Sequence, residues 1–250
     1  MGLPPTFVIK AGQTLWNSLW QTMMGSLAPS DAQGGYQRPA SGFRYGVGAD
    51  SNSGLSAESG RYRLIVGRSC PWAHRTLVVR ALKGLEGAIS VTWAIADPSV
   101  GGWRLSQAFE GCETLPDLYK RVSPNYNGRA TVPVFWDDER RTIVNNESAD
   151  IIQILNGQFN SFATHSSLDL YPVEQRELCD RWNKLIYETV NNGVYRCGFA
   201  QSQSAYEKAC DDLFKTLDLI EATLNNSPYL CGNQLTLADV RLFPTLIRFD

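Results

Sequence analysis

One cysteine of this 250-residue chain stands where a thiol is reactive: Cys70, in the stretch VGRSCPWAHR. The stretch follows a short apolar run, and Pro71 suits the first position of a helix, where its missing N–H costs nothing. Cys70 therefore reads as the residue between a strand and a helix. Unpaired backbone N–H groups and the helix dipole favour negative charge there. An ordinary cysteine, with a pKa near 8.5, is only about 3% thiolate at neutral pH, and such a position raises that fraction many-fold. His74 and Arg75 are expected to add positive charge nearby. A second feature is TVPVFWD, in which a strand carries a proline; strand interiors exclude proline, so Val132-Pro133 is read as a cis bond at a strand start. In a thioredoxin-like sheet such a proline lies beside the thiol and leaves the preceding backbone free for a peptide-like ligand. A third is NNESADI, where Glu147 and Ser148 open a helix at which the Ser148 hydroxyl and the free backbone N–H groups can hold a carboxylate.

These groups need a framework that brings them together. RYRLIVG (61–67) alternates and is rich in branched residues, so it reads as a strand. The helix that follows carries Leu77, Val78, Ala81, Leu82 and Leu85 as its expected apolar face. SVTWAIAD (90–97) is a second strand, closing a βαβ unit. Residues 98–130 read as a long irregular insertion with one helical turn near Leu115 to Arg121. TVPVFWDDERRTIVNN gives two strands joined by a charged turn, and ESADIIQILN a helix with Ile151, Ile152 and Leu155 inward. Beyond about residue 170 the pattern is helical throughout, over 173–192, 203–226 and 236–250. Strands first and helices later predict two domains, with the boundary in SFATHSSLDLYP. In LTLADV, Thr236 and Asp239 have the spacing of a capping box, a structural role.

Composition narrows the function. The chain is 43% hydrophobic and 19% charged with a net charge of −2. No basic patch points to nucleic acid and no polybasic run to a membrane surface, so neither partner is expected. Six cysteines lie without a CxxC, and two histidines offer almost no zinc ligands, so no metal is expected. Reduced thiols in a cytoplasmic compartment are the expectation. The five cysteines other than Cys70 read as core or surface thiols. The N-terminus lacks an uninterrupted apolar core, hence membrane insertion and secretion are not expected. From Thr14 to Leu27, bulky residues recur at helical steps and predict an amphipathic helix packed on the body. Residues 29–61, rich in Gly, Ser and Pro, read as a connecting arm.

Taken together, SCPWAHR, ATVPVFWD and TIVNNESADII followed by a helical half resemble a glutathione transferase. More narrowly, Cys-Pro-Trp-Ala, GGWRL and NNGVYRCGFAQSQSAYEKA are similar to the Xi class, the glutathionyl-hydroquinone reductases, over nearly all the chain from about residue 36. The resemblance implies an α/β thioredoxin-like N-terminal domain (βαβ-ββα, mixed sheet) followed by an all-α glutathione-transferase C-terminal domain. The divisions are an N-terminal helix and arm at 1–60, a glutathione-binding domain at 61–165 and a helical domain at 166–250. In the family, further helices follow the segment matched by PTLIRFD, which implies that the last domain is incomplete here and that a homodimer forms where those helices are present.

The resemblance further implies that Cys70 is the nucleophile and Tyr195 a catalytic group donating a hydrogen bond to a quinol oxygen. Glutathione, as co-substrate, would lie against Trp103, Arg129 and the Val132 backbone beside Pro133, with Glu147 and Ser148 holding its γ-glutamyl end. Ala73 stands where a resolving cysteine would be, so a second glutathione must release the mixed disulfide. The implied reaction reduces glutathionyl-hydroquinones in quinone detoxification. An omega-like thiol transferase or dehydroascorbate reductase would share Cys70, and a glutathione-transferase-like binding module would not need it.

Overall fold

A computed structural model describes residues 28–48, 51 and 53–249, together with Lys10, Gly12 and Thr14. The amphipathic helix expected from Thr14 to Leu27 falls, Thr14 apart, outside the described residues. The chain forms two compact units: Ser41–Ile186 with Ile220–Asp250, and Met1–Ala40 with Tyr187–Leu219.

The first of these units is built on a six-stranded mixed sheet in the order β4-β3-β2-β1-β5-β6. β1 (Tyr62–Gly67) lies between β2 (Ile89–Asp97), parallel to it, and β5 (Val134–Asp137), antiparallel. A strand with neighbours on both sides and layers on both faces has little to show solvent, and Tyr62, Leu64, Ile65 and Val66 are all fully buried. Tyr62 stacks on Phe135, with ring centroids 5.0 Å apart, and Phe159 meets Tyr62 edge-on. β6 (Thr142–Asn145) completes one side of the sheet. Its outer edge is covered by the glycine-rich arm, where Tyr45 N–H donates to the Val144 carbonyl and Asn146 N–H to that of Phe43.

The insertion expected to be irregular supplies the other side of the sheet. β3 (Gly102–Phe109) and β4 (Cys112–Thr114) extend it antiparallel beyond β2. Only Leu105 of β3 is buried, so the strand lacks the apolar alternation that marks half-buried strands. The turn into it is local: Asp97 accepts from the Ser99 N–H, and Gly101 and Gly102 take φ of 79° and 142°, open to glycine. The single helical turn near Leu115 is a helix of eight residues, α2 (Leu115–Val122), capped by the Thr114 hydroxyl.

The crossover helix α1 (Pro71–Leu82) joins β1 to β2. Its buried residues are Trp72, Ala73, Arg75, Thr76 and Val79; of the expected stripe Leu85, just past the helix, is fully buried, Leu77, Val78 and Leu82 are half-buried and Ala81 is exposed. The apolar stripe read from the sequence is therefore not the most buried face. α1 packs against two further helices, α3 (Ser148–Gly157) and α7 (Leu237–Leu246), and neighbours of that kind choose the buried face by contact. α4 (Arg176–Ile186) packs on α7, where Thr236 N–H donates to the Asp239 carboxylate at 2.9 Å as the capping box requires.

The other unit contains a π-helical turn (Tyr187–Asn191), α5 (Gly193–Gly198) and the first part of α6 (Gln203–Leu224). The helix expected over 173–192 is thus split into a 3-10 turn, α4 and a π turn. The Asp31 carboxylate accepts from the backbone of Gln33 and Gly35, and Gln201 N–H donates to the Gly34 carbonyl. These bonds tie the start of the arm to the α5–α6 connection.

Candidate active site

Cys70 is the N-cap of α1, with extended backbone (φ −86°, ψ 116°), and the Ala73 N–H points at its sulfur at 3.5 Å. The thiol in turn donates to the Val132 carbonyl at 3.5 Å. Val132-Pro133 is cis, as its place in a strand start predicts, and both residues are buried. Cys70 itself is half-buried. A half-buried thiol facing the Ala73 N–H is held where the positive end of a helix favours negative charge. Three residues on there is only a methyl group, Ala73, so the site contains one thiol.

The cis-prolyl loop is fixed from behind. Tyr119, buried on α2, donates from its phenol to the Thr131 carbonyl at 2.8 Å, and Asn146 Nδ2 donates to that phenol at 3.0 Å. Burial raises the Tyr119 phenol well above its usual range, so it stays a donor. Tyr119 lies in no motif and Asn146, though within NNESADI, has no role legible there, because both act on a loop more than ten residues away.

Trp103, on β3, lies over the end of β1: a Cβ at Gly67 would overlap its six-membered ring. The strand that the sequence hid therefore brings an indole to the edge of the thiol site. Glu147 is the N-cap of α3. Its Oε1 accepts from the Ala149 N–H at 3.1 Å and its Oε2 from the Ser41 hydroxyl at 2.9 Å. Ser148 is buried, and its hydroxyl accepts from Arg75 at 3.4 Å. Arg129 lies exposed on the loop before Pro133, and its carbonyl accepts from the Tyr126 phenol at 3.1 Å. Cys70, Val132, Pro133 and Trp103 thus gather around the end of β1, with Ser148 joined to α1 through Arg75. Tyr195 belongs to the other compact unit, where it packs between Tyr36 and Phe199 at centroid distances of 6.3 and 6.1 Å.

The charge expected beside the thiol is not supplied as the sequence implied. Burial and the Arg248 charge hold His74 below its usual range, and His74 Nδ1 accepts from Arg248 Nη1 at 2.9 Å, so the ring is neutral at pH 7. Arg75 is buried, stacks on Trp72 and donates to the Arg241 carbonyl at 3.1 Å, linking α1 to α7. A cavity of 530 Å³ lies elsewhere, between Tyr45 and α3. Within it Arg44 pairs with Asp150 and Asn156 donates to Asp169.

A single N-capping thiol beside a cis-prolyl loop, on a mixed sheet covered by helices, defines a thioredoxin-fold thiol protein carrying a helical second part. Residues 69–158 match the model of the glutathione S-transferase N-terminal domain, and residues 203–250 that of its C-terminal domain. The chain is 43% identical to glutathionyl-hydroquinone reductase PcpF of Sphingobium chlorophenolicum, over 94% of this chain and 74% of that protein. The structure of glutathione S-transferase Xi from Phanerochaete chrysosporium matches with a TM-score of 0.82 at 45% identity, covering 88% of this chain and 74% of that one. The glutathione-bound structure of YqjG from Escherichia coli matches with a TM-score of 0.77 at 44% identity, covering 83% and 72%. This chain belongs to the glutathione S-transferase family, in its Xi class, the glutathionyl-hydroquinone reductases. No helix among the described residues is long and apolar enough to cross a membrane.

Proposed function

We propose that this protein reduces glutathionyl-hydroquinones to hydroquinones with glutathione as co-substrate, through a mixed disulfide on Cys70. The observation that carries the proposal is the setting of the Cys70 sulfur, between the Ala73 N–H and the Val132 carbonyl beside cis-Pro133. The Cys70 thiolate attacks the sulfur of the substrate. The carbon–sulfur bond breaks, its electron pair goes to the ring carbon, and that carbon takes up a proton, so the ring is reduced and sulfur oxidised. A second glutathione thiolate attacks the Cys70–glutathione disulfide and leaves as glutathione disulfide, regenerating the thiolate. With Ala73 in place of a second cysteine, nothing within the CPWA turn competes with that glutathione.

In this reading the glutathione groove is lined by Trp103, Arg129 and the backbone of Val132 beside Pro133. The N-terminus of α3, at Glu147 and Ser148, holds the γ-glutamyl end. Ser148 takes part through its backbone, since its hydroxyl is buried against Arg75. Tyr195 would donate to a quinol oxygen and stabilise the ring as charge builds on it. The domain at 61–165 binds glutathione, the helical part at 166–250 contributes the aromatic subsite, and the protein works in the cytoplasm as a homodimer. The test mixes the reduced protein with a glutathionyl-hydroquinone in the absence of free glutathione, and follows intact mass and released hydroquinone together. One glutathione adduct on Cys70 with matching hydroquinone release is expected. Release without an adduct, or an adduct on another cysteine, would overturn the proposed cycle.

A further inference from the structure

Four of the remaining five cysteines lie sulfur to sulfur in two pairs, and their surroundings differ. Cys179 and Cys231 are within hydrogen-bonding reach of each other and both buried, with Asn183 donating to Cys179 and the Thr236 hydroxyl to Cys231. Burial pushes the Cys179 thiol up to about 11, and no oxidant reaches it without opening of the helices. Cys197 and Cys210 stand 3.5 Å apart, one at the end of α5 and one on α6, and both are half-exposed. A disulfide needs about 2.05 Å between sulfurs, so the pair must close by roughly 1.5 Å, which side-chain rotation and a small shift of the six-residue α5 can supply.

We propose that Cys197 and Cys210 are a redox modification site, forming a reversible intramolecular disulfide with glutathione disulfide as the oxidant. The exchange balances in two steps. A thiolate of the pair attacks glutathione disulfide and expels one glutathione; the partner thiol loses its proton, attacks the mixed disulfide and expels the second. The dithiol gives up two electrons and two protons, and two glutathione thiols form. Burial, and next the adjoining Cys210 sulfur, push Cys197 up to about 12 and keep it a thiol. Tyr206, one turn before Cys210, hydrogen-bonds the Cys210 sulfur. The disulfide ties the segment carrying Tyr195 to α6, since Cys197 follows Tyr195 by two residues. Its link to turnover, with the product of the enzyme as oxidant, rests on the proposed reductase cycle; the bond itself does not.

The experiment equilibrates the full chain with glutathione buffers of rising disulfide content, quenches in acid, alkylates, digests and maps the cysteines by mass. A Cys197–Cys210 cross-linked peptide is expected in the wild type and equally in Cys70→Ser, so loss of the proposed catalytic thiol leaves this result standing. The cross-link should vanish in Cys197→Ser and in Cys210→Ser, with glutathione accumulating on whichever cysteine of the pair remains. Alkylation of both thiols at every buffer ratio would overturn the proposal, as would separate glutathione adducts on both without a cross-link. In the cross-linked form of the wild type, a KM for the aromatic substrate changed relative to Cys210→Ser under the same buffer connects the bond to Tyr195. An unchanged KM severs that connection.

Discussion

The two ends of strand β1 are built in opposite ways. At its start, every strong polar group is satisfied. Arg61 forks onto Asp137 at 3.1 and 2.7 Å and also reaches Glu58. The buried Asp137 carboxylate accepts further from the backbone N–H groups of Glu139 and Arg140, and the Tyr62 phenol donates to the Ser56 carbonyl. At the other end, past Gly67, the half-buried Cys70 thiol meets the Val132 carbonyl and the Ala73 N–H at 3.5 Å each. A saturated strand end stabilises the sheet and offers a ligand nothing. An end built around a half-buried thiol contributes less to the sheet and presents a nucleophile to a ligand.

That contrast predicts function without stability at one end and stability without function at the other. The largest effect is expected from Cys70→Ser, which should lower thiol transfer at least about a thousandfold while leaving the unfolding midpoint nearly unchanged, since an N-capping hydroxyl replaces the thiol. A variant that kept most of its turnover would break the comparison. Asp137→Ala should do the reverse, costing about 1–3 kcal/mol in denaturant unfolding by removing the buried acceptor of Arg61 and of the Glu139 and Arg140 N–H groups, with turnover of the folded fraction retained. Burial alone would raise the Asp137 carboxyl, but hydrogen bonds from Arg61 and Arg140 and the Arg61 charge outweigh it and hold the group below 3.8. Its contribution is therefore present above that pH and lost as pH falls through the folded-state value, so wild type and variant should converge in acid.

Gly67→Ala tests the junction of the two ends. The added methyl must displace the Trp103 ring, so about 1–3 kcal/mol of stability and part of the glutathione affinity should fall together. Calorimetric titration with glutathione beside thermal unfolding would read both; loss of one alone would show that the indole does not couple the strand to the groove. The smallest effect belongs to His74. Its folded-state pKa lies below the unfolded 6.5, so the neutral ring stabilises the fold above that pH and the benefit is lost as pH falls below it. Replacing His74 by Asn should flatten the dependence of stability on pH in that window, and an unchanged slope would mean the ring is not held neutral by burial and the Arg248 charge.

The Cys70 turn was readable because its signals are local. Cysteine before proline after a branched strand sets an N-cap, and proline inside TVPVFWD marks a special peptide bond. The same holds for Thr236 and Asp239, three residues apart. β3 was not readable, since an outer strand with one buried residue carries no alternation to detect. Trp103 could be assigned to the groove only by resemblance, and Gly67, which receives its ring, not at all. The face of α1 was misread because α3 and α7 pack on it, and neither is near it in sequence.

By itself the sequence determined the chemistry that lies within one turn of helix or strand: a lone thiol at a helix N-terminus, no partner at Ala73, a cis-proline and a capping box. Backbone dihedral preferences and capping hydrogen bonds act over three or four residues, so those patterns survive in one dimension. Tertiary structure alone decided that His74 is neutral, that Arg75 turns inward to Ser148, that an indole covers Gly67 and that Cys197 meets Cys210. Charge state, burial and sulfur–sulfur distance depend on which segments meet, and no local spacing encodes that.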